Sequence, residues 1–184
     1  PKEATVKVRR VVTGHDGGSK AVFGSDQEVE PVALALIPGV EFHRLWGADA
    51  TPVFPDEGSP PEQPTYFPPV GGFRFGLFTL PPQGTAPSAD LDVGAALSEM
   101  EEKLPGMLSH MEPQDPGMHT TDTIDFEVVL SGEVVLELDD GAEKTVGAGD
   151  TVVQNGTRHR WHNRTSEPAV LAVFMVGARR RGQA

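Results

Sequence analysis

The chain reads as one all-β domain, a sandwich or barrel of short strands, and three observations predict this. Between residues 123 and 176, short alternating runs recur with a turn signal after each: Ser131-Gly132, Asp139-Asp140-Gly141, Gly147-Ala148-Gly149-Asp150 and Asn155-Gly156. The 21 Gly and 17 Pro make about a fifth of the 184 residues, enough for many turns yet below a disordered composition. Only one stretch, 90–107, carries a helical pattern.

Thr5 to Val12 alternates as a strand, Gly14-His15-Asp16-Gly17-Gly18 turns the chain, and Lys20 to Phe23 returns, so a hairpin is expected. Glu41 to Trp46 is a third strand. Asp49 to Gly72 holds seven prolines and can be neither helix nor interior strand; it is expected as a long, partly extended surface loop. Phe73 to Leu80 alternates aromatic and small residues as a strand, stopped by Pro81-Pro82. The helix over Asp90–Met107 has Asp90 or Asp92 as N-cap, an apolar face of Leu91, Ala95, Leu97 and Met100 or Leu104, and Pro105-Gly106 as its stop. Strands then follow over Thr123–Leu130, Glu133–Leu138, Lys144–Val146, Thr151–Gln154, His159–Asn163 and Pro168–Val176. Asp140-Gly141 is the strongest hairpin signal, because both residue types tolerate positive φ.

Composition excludes several classes. A formal charge of −12 repels phosphate backbones and anionic lipid surfaces, so neither nucleic acid nor membrane is expected as a partner. With no cysteine there is no disulfide, thiolate metal site or cysteine nucleophile. No apolar run approaches the ~20 residues that span a bilayer, and Pro1–Arg10 is polar, so a cytoplasmic location is expected.

The chemistry concentrates in two segments. The first is His119-Thr120-Thr121, then Asp125 after three residues and Gly132 after six more; the second runs Gly149-Asp150, Gln154-Asn155-Gly156, His159, Asn163. Over residues 115 to 176 the chain resembles the cupin superfamily, whose motifs read in outline Gly-x5-His-x-His-x3–4-Glu-x6-Gly and Gly-x5-Pro-x-Gly-x2-His-x3-Asn. The resemblance implies a cupin-2-like jelly-roll β-barrel with an N-terminal strand extension and one short helix. Where the family places a second His and a Glu, this chain has Thr121 and Asp125; Pro113 replaces the opening Gly, and Gln154 replaces the Pro. The resemblance therefore implies a reduced metal set of His119, Asp125 and His159 for a weakly held divalent ion (Fe, Mn, Zn or Ni).

Alternation puts His119, Thr121, Thr123, Asp125 and Glu127 on one face of their strand, with Ile124, Phe126, Val128 and Leu130 on the other. His159, Trp161 and Asn163 likewise share a face, opposite Arg160 and His162. Polar residues turned into a barrel are costly unless they are paired or serve a ligand. Candidate catalytic residues are His119, His159, Asp125 and Glu127; Thr121, Thr123, Trp161 and Asn163 are candidates for lining the pocket. The resemblance implies an enzyme acting on a small oxygenated organic molecule, of dioxygenase, decarboxylase, isomerase or cyclase type. Metal-free His–carboxylate acid–base chemistry and a non-enzymatic binding barrel are the alternatives. The expected division is 1–82 as an extension packing on the barrel, 83–112 as a linker with the helix, 113–178 as the core and 179–184 as a solvated tail. Sheet edges and an apolar face favour a homodimer.

Overall fold

The structure is a computed structural model that describes residues 6–182. Thr5, the expected start of the first strand, lies outside the described residues, as do Gln183 and Ala184 of the tail. No helix among the described residues is long and apolar enough to cross a membrane.

Strands β1 (Val8–His15) and β2 (Ala21–Val29) form the expected hairpin as a two-stranded sheet of their own. The Asp16 carboxylate closes its turn by accepting from the N–H groups of Gly18 and Lys20. β2 runs six residues past the expected Phe23, because Gly24–Val29 continues to pair with β1 although its mostly exposed, polar side chains show no burial alternation.

The main sheet has six strands in the order β3-β4-β5-β11-β6-β9. These are β3 (Val32–Ala33), β4 (Glu41–Ala48), β5 (Phe73–Leu80), β6 (Thr123–Ser131), β9 (Thr151–Asn155) and β11 (Ala169–Gly177). A second sheet, β10-β7-β8, is built from β7 (Glu133–Glu137), β8 (Glu143–Gly147) and β10 (Arg160–His162). The two sheets meet through Val129, Val134, Ala169 and Leu171, with Phe78, Leu80, Val146 and Trp161 packed around them. This is the all-β, jelly-roll arrangement. Gly132 makes the passage from one sheet to the other: its φ is +77°, and a Cβ there would lie 2.8 Å from the Ala169 Cα. In the β7–β8 turn, Asp140 and Gly141 both take positive φ (58° and 69°), as the Asp-Gly pair implies.

Three expectations need correction. Residues 1–82 do not simply pack on the barrel: β4 and β5 are strands of the main sheet, and β5 pairs directly with β11. Helix α1 spans only Val93–Lys103, capped by Asp92, whose carboxylate accepts from the Ala95 N–H at 3.0 Å. Its buried stripe is Ala96, Met100 and Leu104, spaced by four residues, and not Leu91, Ala95 and Leu97. That stripe caps one end of the fold with Leu34, Met107, Phe42, Tyr66 and Phe67. The Pro-rich segment 49–72 is therefore not wholly a surface loop, since it carries Tyr66 and Phe67 into this cluster.

Candidate functional site

Thr121, Thr123, Asp125, Glu127 and Val129 are all buried, while Phe126, Val128 and Leu130 are exposed. The expected alternation of β6 is therefore present. Cross-strand register places Gln154 and Met175 beside Asp125, and Val152 and Val173 beside Glu127. The Thr121 and Thr123 hydroxyls bond each other at 2.8 Å.

His119 and His159 are joined through their backbones, each N–H donating to the other's carbonyl at 3.0 Å. Their rings are tilted by 54° with centroids 4.2 Å apart. Each Nδ1 is tied to a backbone carbonyl two residues earlier, Gly117 O and Thr157 O, both at 2.9 Å. A carbonyl only accepts, so Nδ1 carries the proton and each Nε2 keeps its lone pair. Gln154 explains part of this geometry. Buried where the motif has proline, it donates through Nε2 to Thr157 O and Oγ1, which fixes the turn that holds His159.

Burial favours the neutral form of all four ionisable groups. Burial, then the neighbouring His119, pushes His159 down to about 4, and burial also lowers His119. Burial raises Asp125 to about 6 against a bond from Thr123; burial and the Asp125 charge push Glu127 up to about 8. Asp125 Oδ1 and Glu127 Oε2 are buried without a hydrogen-bond partner. At neutral pH the interior thus holds two neutral imidazoles and a protonated Glu127.

Trp161 forms an apolar wall, tilted against Phe78 and edge-on to His159, each with ring centroids 6.5 Å away. Asn163 does not join the pocket. Its amide donates to Leu80 O and Glu167 O and its oxygen accepts from Thr165, so it braces the loop before β11. Arg180 is likewise no solvated tail residue: it donates to Thr121 O, Gly156 O and Asp122, tying the chain end to the mouth of the site.

The reduced metal set has suitable donor chemistry, two free Nε2 atoms and a carboxylate, but its atoms are not gathered. Among the described residues, the trio whose donor atoms all lie within 4.8 Å of one another is Glu137, Glu143 and His162. Those carboxylates are already claimed. Arg160 binds Glu137 and Arg164 binds Glu143, each through two nitrogens, while His162 bonds Glu137 on the face turned from the site. The separation of His162 from His159 agrees with their parity.

Sequence reasoning missed Tyr66 and Arg44. Tyr66 feels the charges of Arg44, Asp125 and Glu127, and burial raises its hydroxyl well above the ordinary range. As the chain's single tyrosine, set among prolines, it was the available signal. His43, unassigned from sequence, is buried with neither ring nitrogen partnered, but it pairs with Leu77 on the sheet face opposite Arg44.

Residues 107–176 match the cupin domain family model. This stretch of the chain carries a cupin domain. Similar proteins include phomopsin biosynthesis cluster protein C' of Diaporthe leptostromiformis, 29% identical over 167 residues, covering 91% of this chain and 76% of the relative. A cupin-domain-containing oxidoreductase of Hypocrea virens is 40% identical over 48 residues, 26% of this chain and 25% of that one. A cupin 2 conserved barrel domain protein from Salinispora arenicola aligns with a TM-score of 0.41 at 18% identity, covering 84% of this chain and 92% of that one.

Proposed function

We propose that this cupin is an enzyme that moves a proton to and from a small oxygenated organic molecule inside the barrel, an isomerase- or cyclase-type reaction. One observation carries the reading: two imidazoles keep free Nε2 atoms, and two carboxyl groups on the buried face of β6 have oxygens without partners. An Nε2 of His159 or His119 takes a proton from a carbon next to a carbonyl. Glu127, protonated at neutral pH, gives its proton to the carbonyl oxygen, yielding the enol and leaving a carboxylate. The imidazolium then gives its proton to carbon, the same one or the far end of a conjugated dienol, while the enol O–H returns its proton to the Glu127 carboxylate, which closes the cycle. Asp125 raises Glu127 through its charge, Thr121 and Thr123 supply hydroxyls, and Trp161 excludes water. Relatives named for biosynthesis clusters and oxidoreductases are consistent with small-molecule chemistry.

A divalent ion (Fe, Mn, Zn or Ni), held weakly by His119, Asp125 and His159, is the second reading, favoured by the matched anchoring of the two imidazoles. Its chemistry would be to polarise a substrate oxygen. We also propose a homodimer through the outer face of the main sheet, where Phe75, Phe126, Val128, Leu130, Val153 and Phe174 are exposed together.

The test is solvent-deuterium exchange into a panel of small ketones and β-keto acids, followed by proton NMR. Exchange faster with the wild-type protein than with His159→Ala is the expected result. Equal rates overturn the enzyme reading and leave a binding barrel.

A further inference from the structure

The interior of the main sheet carries a cation opposite the carboxyl groups. Register defines one cross-strand row: Arg44 of β4 faces Gly76 of β5, Gly76 faces Val173 of β11, and Val173 faces Glu127 of β6. Paired residues of neighbouring strands share a sheet face, so Arg44 lies on the same face as Glu127 and Asp125. Between them the row has only a glycine and a valine, which leaves a low floor across roughly 14 Å, three strand spacings.

Arg44 differs from the other interior arginine. Arg74 is fully engaged, with a salt bridge to Asp49 at 2.6 Å and bonds to the carbonyls of Thr65, Ala48 and Phe73. Half-buried Arg44 makes one hydrogen bond, from its guanidinium to Gln63 O at 3.1 Å, and has no carboxylate partner among the described residues. In a chain with 27 acidic and 15 basic residues, a half-buried arginine without an acidic partner is an uncompensated charge. Tyr66 packs its ring 5.7 Å from that of Phe42, two residues before Arg44 on β4, and feels the charges of Arg44 and both carboxyl groups.

We propose that Arg44, with Tyr66 beside it, is the subsite for a carboxylate of the substrate, so that the molecule bound in the barrel is a small organic acid. This deepens the reading of the interior as the reaction site and rests on it. The guanidinium fork holds the carboxylate at the β4 end of the row. The substrate's oxygenated carbon then extends over Gly76 and Val173 towards Glu127, the acid of the proposed reaction.

The test uses benzoate and its neutral isostere benzamide as probes, titrated into wild-type protein, Arg44→Gln, Arg44→Lys and Tyr66→Phe, with binding followed by NMR of protein amides. Wild-type protein is expected to bind benzoate in preference to benzamide. Arg44→Gln is expected to weaken benzoate ~10–100-fold while leaving benzamide unchanged, the loss of one charge-assisted pair. Arg44→Lys should retain part of the preference, which separates lost charge from lost fold, and Tyr66→Phe should weaken benzoate less than Arg44→Gln. Equal benzoate affinity in wild type and Arg44→Gln overturns the subsite while leaving the interior reading intact. If neither probe binds wild type, the subsite and the interior reading fall together.

Discussion

Replacing Glu127 by Gln should make the protein more stable at pH 8 and should help far less at pH 5. The Glu127 carboxyl is pushed up to about 8 in the folded chain, whereas an unfolded glutamate titrates near 4.3. The folded state therefore binds the proton more tightly. Stability from this group is complete below the unfolded value and is lost as pH rises through the folded one, by at most ~1.4 kcal/mol per pH unit. The neighbouring groups define where the effect stands alone. Asp125 has the same sign but is finished above about 6. His159 and His119, both lowered, act in the opposite sense: their neutral burial costs stability only as pH falls below the ordinary histidine value near 6.5. Between pH 6.5 and 8 Glu127 dominates, and the loss across that window is ~2 kcal/mol. For a chain of this length ~2 kcal/mol corresponds to a fall in Tm of roughly 4–8 °C. Thermal unfolding followed by circular dichroism from pH 5 to 8 measures it, with Glu127→Gln flat above pH 6.5 where the wild type declines. A wild-type Tm that holds or rises from pH 6.5 to 8, or a Glu127→Gln variant that follows it in parallel, refutes the reasoning.

The remaining expectations concern the site and the outer surface. His159→Ala and His119→Ala should each slow deuterium exchange into an active carbonyl compound by ~10²–10⁴-fold, while His162→Ala, whose ring bonds Glu137 outside the site, should leave the rate unchanged. Elemental analysis after dialysis against a chelator should find substoichiometric divalent metal, because the three candidate donors are not gathered at one point; a retained stoichiometric ion would reveal a closer ligand set. Light scattering should give twice the 19.7 kDa chain mass, and the pair Phe126→Asp with Val153→Asp, at positions 45% and 59% exposed on the outer face, should halve it.

Strand β6 was legible because its signal is local. An alternation of period two, with polar residues at 121, 123, 125 and 127, places side chains by parity alone, and the structure buries those residues. The same parity placed Asn163 with His159 and Trp161, yet Asn163 leaves the pocket, because β10 ends at His162 and the chain turns there towards Leu80 and Glu167. Helix α1 was found, and Met100 and Leu104 of its expected face are buried, but Ala96 joins them in place of Leu91, Ala95 and Leu97. With several small and apolar residues around one short helix, only the position of Leu34 and Met107 decides which stripe faces inward. Arg44 was not legible, and Tyr66 only as the chain's single tyrosine. Arg44 reaches the Glu127 row through three strand pairings between segments that lie more than thirty residues apart in sequence. Tyr66 comes from a proline-rich segment without periodicity.

The distribution of paired charge makes the interior argument stronger than any one residue does. On the outer side the carboxylates around the histidine-bearing segments are paired. Glu112 and Asp115 are bound by Arg158, Glu137 by Arg160 and Glu143 by Arg164, and side-chain bonds hold Glu137 at about 2, far below its ordinary value. Arg158 and Arg160 together fasten the loop that leads into His119, since both also reach Asp115. The scaffold thus uses its arginines to fix the segments that carry the histidines. Inside, the pattern reverses: Asp125 and Glu127 have oxygens without partners, and Arg44 has no acid. An interior selected only for stability would pair Arg44 with a carboxylate or replace both by apolar side chains, since an unmatched buried polar group costs on the order of 1–3 kcal/mol. Keeping the cation and the acids apart across a floor of Gly76 and Val173 retains that cost, and the arrangement lowers it only when a molecule with an anionic end and a polarisable oxygen lies between them.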